Sequence, residues 1–236
     1  MNNIILIIPT YNEVDNIKVI YKKIRKYNPN LEVLFIDDNS PDGTLREIKI
    51  LKKKDSKIFF VSRKKKFGIG SAHKFGIKWA VKNFYKICIT MDSDLTHDPR
   101  LIPKMISYSN NYHLVQTNRF FSKSSMKTWP LYRKILTAIR YWLIYFLLEI
   151  KQDSSGAFRC YNFNIMDYKL LFLAKDNSYS FFWESIYILN KKNCKIKEIP
   201  INQKYRERGS SKIQIKDWFN GILYLFKIYY KDFLKK

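Results

Sequence analysis

Between residues 4 and 117, short apolar runs alternate with longer stretches whose apolar residues recur at helical spacing, and this alternation restricts the fold more than any other feature. The runs cover 4–8, 31–36, 58–61, 87–91 and 114–117, and the intervening 13–27, 44–53, 70–83 and 99–109 read as helices. Strands joined through helices predict a parallel sheet with right-handed crossovers. No repeat and no low-complexity linker interrupts the 236 residues, so one continuous α/β unit is the economical expectation.

Ligands bind outside the carboxyl ends of the strands in such a sheet, so the loops there carry the argument. The first, Pro9-Thr10-Tyr11-Asn12-Glu13, offers a flat ring for a base or ribose and a carboxylate to accept from either. Taken alone it is also an ordinary helix start. The second, Asp37-Asp38-Asn39-Ser40-Pro41-Asp42-Gly43-Thr44, presents two acids before turn chemistry, with Asp38 the functional candidate and Asp42 and Gly43 structural. The third, Arg63 to Ala72, is basic and then carries Gly68 and Gly70. It lacks the spacing of a full phosphate-binding motif, and a solvated basic loop explains it equally well. The fourth, Met91-Asp92-Ser93-Asp94-Leu95-Thr96-His97-Asp98-Pro99, sets two carboxylates two apart, hard oxygen ligands of the kind that Mg²⁺ or Mn²⁺ selects beside a phosphate. Its plainer reading is a solvated acidic turn with Asp98 as an N-cap.

Forty-four Lys and Arg against 20 Asp and Glu give a formal net charge of +24, which suits an anionic partner: nucleotide, phospholipid surface or nucleic acid. A solvated lysine-rich surface accounts for the same number. Cys88, Cys160 and Cys194 lie far apart with no metal-ligand spacing and fit a reducing compartment. No run of about 18 apolar residues occurs, so a transmembrane span is not expected.

The loops taken together resemble the polyprenyl-phosphate glycosyltransferases of glycosyltransferase family 2, most closely the dolichyl-phosphate mannosyltransferases. The resemblance rests on Ile8-Pro9-Thr10-Tyr11-Asn12-Glu13, on Ile36 to Thr44, on Met91 to Pro99, on Asp153-Ser154-Ser155-Gly156-Ala157-Phe158-Arg159 and on Arg206-Glu207-Arg208-Gly209-Ser210-Ser211-Lys212, in the family's order. It implies a GT-A fold, a Rossmann-like, mostly parallel sheet flanked by helices. It also implies inverting transfer of a sugar, most closely mannose from GDP-mannose, to dolichyl or polyprenyl phosphate. Pro9, Tyr11, Glu13, Ile36, Asp38 and Ser93 would then bind the nucleotide, while Asp92, Asp94 and Thr96 would hold Mg²⁺ or Mn²⁺ on the diphosphate. A lipid phosphate is anionic already and needs no general base, so the site must supply charge instead. Arg119, Arg133, Arg206 and Lys212 are the implied catalytic cations beside Asp94, the last two on a mobile lid. Asp153 and Glu184 are secondary candidates, with Arg159 an alternative, purely structural partner for Asp153. Where relatives show Ser-Arg-Gly-Ala-Asn this chain reads Thr137-Ala138-Ile139-Arg140-Tyr141, a departure within the acceptor segment.

Two helices bear on the membrane. The first, about 131–149, is apolar at most positions, with Arg133 and Arg140 seven apart on one face. The second, 215–234, gathers Trp218, Phe219, Ile222, Leu225, Phe226, Tyr229 and Phe233 on one face and lysines opposite. Both suit amphipathic interface helices at the headgroup level, and packing on the chain's own core is the competing reading of each. The expected organisation is a catalytic domain over 1–213 and an amphipathic helix over 214–236. The expected place is the cytosolic face of a membrane, the endoplasmic reticulum in a eukaryote or the plasma membrane in a prokaryote, with small membrane-embedded partner subunits as a second route of attachment. Three alternatives stay open: a polyprenyl-phosphate glucosyltransferase using UDP-glucose, a non-catalytic basic peripheral membrane protein, and a nucleic-acid-binding module. No nucleic-acid signature supports the last.

Overall fold

Alternate residues of the first strand point into different cores. A computed structural model describes residues 3–206 and 214–234. In it β1 (Ile4–Thr10) sends Leu6 and Ile8 to one face of the sheet and Ile5 and Ile7 to the other, all fully buried. A strand covered on both faces needs apolar residues at both parities, which is why its sequence does not alternate.

The first face is covered by α1 (Val14–Tyr27), α2 (Thr44–Lys54) and α4 (Ile102–Ser109), which bury Ile17, Ile20 and Ile24, Ile48 and Leu51, and Ile102 and Met105. The second is covered by α3 (Ile69–Lys82), α5 (Leu131–Leu148), α6 (Ser180–Lys191) and α7 (Ile215–Phe233). The remaining strands are β2 (Glu32–Asp37), β3 (Ile58–Ser62), β4 (Ile87–Thr90), β5 (Leu114–Asn118), β6 (Arg159–Asn162) and β7 (Ile196–Pro200). Together they form one seven-stranded sheet in the order β3-β2-β1-β4-β6-β5-β7. Every pairing is parallel except those of β6, which runs against both β4 and β5. This is the mostly parallel, helix-flanked sheet expected from the sequence.

The reversal of β6 positions the site. Because β6 runs opposite to its neighbours, the residues that lead into it, Asp153 to Ala157, stand at the same edge of the sheet as the residues that leave β4 and β5. The helix expected over 99–109 opens instead as a 3-10 turn, Pro99–Leu101, with the Asp98 side chain accepting from the Arg100 amide. Pro99 lacks an N–H to be satisfied there, and α4 begins only after it.

The C-terminal helix packs on the chain's own core along one side and leaves apolar residues exposed along another. Leu225 is buried in the second core, with Tyr224, Ile228 and Tyr229 packed beside it. Tyr224 donates to Glu184 at 2.9 Å, and Asp232 accepts from Tyr187 and pairs with Lys191 on α6. Phe219, Leu223, Phe226, Tyr230 and Phe233 are exposed. The helix on 131–148 divides similarly: Thr137, Ile144 and Leu148 are buried, whereas Ile135, Ile139, Trp142 and Phe146 are exposed and form a shallow apolar groove with Ala138 and Leu143. Among the described residues no helix is long and apolar enough to cross a membrane.

Candidate active site

The strand ends open onto a cleft of about 790 Å³, walled in addition by α5 and the first turn of α7. Pro9, Tyr11, Glu13 and Asp38 line it, as do Asp92, Ser93, Asp94 and Thr96, and as do Arg119, Arg133 and Arg206. Of the sequence candidates, Ile36 is fully buried in the second core and Asp153 and Glu184 are buried behind the lining, while Lys212 lies outside the described residues, as do Gly209 and the serines beside it.

In the lobe built by β1 and β2, Asp37 is spent on structure, accepting from Thr10 and from the Ser40 hydroxyl and amide. Asp42 accepts from the amides of Thr44 and Val14 and so fixes the start of two helices. Asp38, 5% exposed, is held by Arg63 through two hydrogen bonds of 2.5 and 2.6 Å, a planar fork that leaves the carboxylate one orientation. The first residue of the basic loop is thus a buried clamp, a role the sequence offered no sign of. Its glycines answer to packing. Gly68 has φ +96°, and a side chain there would strike the Asn177 carbonyl, while one at Gly70 would meet Phe181 at 2.5 Å and the Ser178 carbonyl at 2.8 Å. Lys66 does reach the cleft, with its ammonium 4.9 Å over the Tyr11 ring.

The second lobe follows β4. Asp94 accepts from the amide and hydroxyl of Thr96 at 3.1 and 2.7 Å, a tight turn that forces Leu95 into the left-handed region at φ 66°. Packing of Leu95 against the first core holds that conformation in place. His97, 3% exposed and stacked on Phe158, accepts from the Asp92 amide through Nδ1 at 3.1 Å. Burial pushes its imidazole down to about 4, so it is neutral at pH 7. Sequence reasoning did not single out His97, whose position within the acidic loop was the available signal.

Enclosure in the cleft and the adjacent Asp94 charge push the Asp92 carboxyl above its usual value. Burial acts on Asp94 in the same sense, but His97, Arg206 and the Thr96 hydrogen bonds outweigh it and hold that carboxyl below its usual value. Arg206 donates to Asp94 Oδ2 at 2.6 Å and stands 3.8 Å from Glu13, so a guanidinium already lodges beside the paired acids. Such a donor set fits a hard divalent cation. Among the described residues no group of three or more His, Cys, Asp or Glu gathers to hold one.

The third lobe brings Arg119, Arg133 and Arg140 together. Asp153 accepts from Arg119 Nε at 2.8 Å, Nη2 at 2.6 Å and the backbone amide at 3.0 Å, so its partner is Arg119 and not Arg159. Arg159 instead donates to the carbonyls of Gly156, Ser154 and Phe182 and to the Ser185 hydroxyl, knitting β6 to α6. Glu184 is likewise engaged within the fold. It accepts from the amides of Lys175 and Asp176 and from Tyr224, and it does not line the cleft.

The chain is similar to known proteins in sequence and in fold. The chain is 27% identical over 211 residues to an undecaprenyl-phosphate mannosyltransferase of Micrococcus luteus, covering 89% of this chain and 87% of that one. It is 27% identical over 213 residues to a polyprenol monophosphomannose synthase of Mycolicibacterium smegmatis, covering 89% and 80%. Among solved structures it resembles glucosyl-3-phosphoglycerate synthase of Mycobacterium tuberculosis in complex with Mn²⁺, UDP and glucosyl-3-phosphoglycerate, with a TM-score of 0.65 at 16% identity over 96% of this chain and 79% of that one. A mannosyltransferase of Pyrobaculum calidifontis in complex with GDP-mannose and Mn²⁺ follows at 0.59 and 13%, over 99% and 64%. The model of glycosyl transferase family 2 matches residues 5–172, most of the sheet and two of the three lobes in full, and the chain belongs to that family.

Proposed function

We propose that the protein transfers mannose from GDP-mannose to the phosphate of a dolichyl or other polyprenyl phosphate, with inversion, at the cytosolic face of a membrane. The observation that carries this is the pairing, in one cleft, of an acidic lobe suited to a metal-bound diphosphate with an arginine lobe suited to a second phosphate. The printed names of the two relatives support the acceptor class and the sugar.

In this reading Tyr11, Glu13 and the clamped Asp38 hold the nucleoside, with Pro9 and Ser93 shaping the floor beneath it. A divalent cation, Mg²⁺ or Mn²⁺, held by Asp92 and Asp94 with Thr96 beside them, would supply positive charge to the diphosphate. Arg206 leaves Asp94 for the leaving group and, with Lys212, neutralises the charge that develops there. Arg119 and Arg133 hold the acceptor so that its phosphate oxygen attacks the anomeric carbon as the bond to the diphosphate breaks, releasing GDP. No side chain needs to remove a proton, because the attacking oxygen is already anionic. The exposed apolar residues of α5 and α7 and the lysines of α7 form the membrane-facing surface.

The test is to incubate the protein with polyprenyl phosphate and, in parallel, labelled GDP-mannose, UDP-glucose and other sugar nucleotides, and to count label extracted into organic solvent. Mannose label is expected there. Label from UDP-glucose alone, or none from any donor, overturns the reading.

A further inference from the structure

Arg140 lies one turn beyond Thr137 and seven residues beyond Arg133, on the face of α5 that lines the cleft. Of the three guanidiniums in this lobe, Arg119 is matched by Asp153 through a two-pronged pair. Neither Arg133 nor Arg140 has a carboxylate within ion-pair distance among the described residues. Arg133 lies instead over the rings of Trp129 and Tyr205, at 4.8 and 5.3 Å. Glu198 is engaged elsewhere, accepting from Gln116 and the Asp153 amide. Trp129 adds a further donor: it lines the cleft, is 7% exposed, and its indole N–H has no partner among the described residues.

The lobe therefore sets three guanidiniums against the one carboxylate of Asp153, leaving it net positive, with an unspent N–H beside them. Burial and the charge of Arg119, with a smaller contribution from Arg133, outweigh Asp153 and depress the Arg140 guanidinium to about 10, the expected sign for a cation crowded by cations. A phosphomonoester, doubly charged near neutral pH, matches both the charge and the fork geometry.

We infer that this lobe is a phosphomonoester site in which Arg140 is a third guanidinium, a positioning residue that holds the acceptor phosphate together with Arg133 and Arg119. The inference rests on the reading of the acceptor as a phosphate and adds a ligand that neither the strand-end motifs nor the comparisons assign. The apolar residues at the mouth of the lobe, Tyr132 and Leu136 of α5 and Ile215, Trp218 and Phe219 of α7, favour an isoprenyl chain as what the phosphate is attached to.

The experiment is direct binding, read from tryptophan fluorescence, since Trp129 and Trp218 both line the cleft. Farnesyl phosphate, glycerol phosphate, farnesol and GDP with Mg²⁺ are titrated into the full chain and into the Arg140→Gln and Arg140→Lys variants. Arg140→Gln should weaken farnesyl phosphate on the order of tenfold or more, the scale of one charge-assisted hydrogen bond. GDP and farnesol should stay within about twofold, which also shows that the variant folds, and Arg140→Lys should recover part of the loss. Farnesyl phosphate bound equally well by Arg140→Gln, or farnesol and GDP weakened to the same extent, overturns the assignment. Equal, Arg140-dependent binding of glycerol phosphate supports the site and gives it a soluble phosphate. Because no sugar transfer is measured, a protein that binds farnesyl phosphate through Arg140 yet transfers no mannose refutes the transferase reading alone.

Discussion

Replacing Asp153 by alanine tests whether Arg119 is held in place before any substrate arrives. The two side chains are 7% and 2% exposed, and Asp153 accepts three hydrogen bonds from Arg119, so the substitution strands a buried guanidinium. Breaking one member of such a pair costs about 3–5 kcal/mol. At roughly 2–4 °C per kcal/mol for a chain of this size, the midpoint should fall by about 6–20 °C. Burial alone would raise the Asp153 carboxyl, but the Arg119 charge and hydrogen bonds reverse that and hold it below its usual value. A carboxyl depressed in the folded state contributes stability that is complete above its unfolded value, about 3.9, and is lost as pH falls through the folded one. The gap between parent and variant, followed by circular dichroism in urea, should thus stay level from pH 8 to about 5 and close below about 4. The double variant Arg119→Met, Asp153→Leu should regain much of the loss, since an apolar pair leaves no charge stranded. A single-variant loss under about 1 kcal/mol, or a gap that closes as pH rises, would refute the argument.

Asp94→Asn should remove both transfer and metal-dependent GDP binding by calorimetry, and full turnover at saturating Mg²⁺ or Mn²⁺ would end the metal role. Arg206→Ala, and separately Lys212→Ala, should lower kcat on the order of a hundredfold with unchanged circular dichroism, whereas unaltered kinetics in both would return that segment to a basic surface loop. Truncation before α7 is a poor test of membrane attachment, because its first turn lines the cleft and Leu225 sits in the core. Leu223→Glu with Phe226→Glu keeps both and should reduce sedimentation with anionic liposomes at low salt, while a parent protein that never sediments points to a membrane-embedded partner subunit.

Where the chain repeats a simple period, the sequence reading came within a residue or two of the structure. The five strands from β1 to β5 and the ends of α5 are of this kind, because a run buried on both faces and a helix with a strict apolar stripe each leave a direct mark. β7 was not anticipated. In Ile196-Lys197-Glu198-Ile199-Pro200 a single residue is fully buried, as suits an edge strand, and the pattern carries little signal. The direction of β6 leaves no mark in its own residues, so the pairing of Asp153 with Arg119 could not be read. Arg63 looked like the start of a basic run, and only the neighbouring strand shows that it faces Asp38. Glu184 occupied a familiar position yet holds a loop and α7. Strand-end acids were legible because topology alone sends them to one edge, whereas partner choice among arginines depends on packing that no local pattern encodes.

The place of β6 between β4 and β5 also sets the order in which a nascent chain can assemble. The block β3-β2-β1-β4 draws only on residues up to Thr90 and can pair as soon as these emerge. Among the described residues β5 pairs with β6 and β7 alone, so it has no neighbour there until Arg159–Asn162 has been made. The strands that carry Asp38 and Asp92 can therefore pair while the arginine lobe is still unformed. Until then β5 is an unpaired strand, the interval in which a slowly synthesised or truncated chain is most exposed to aggregation.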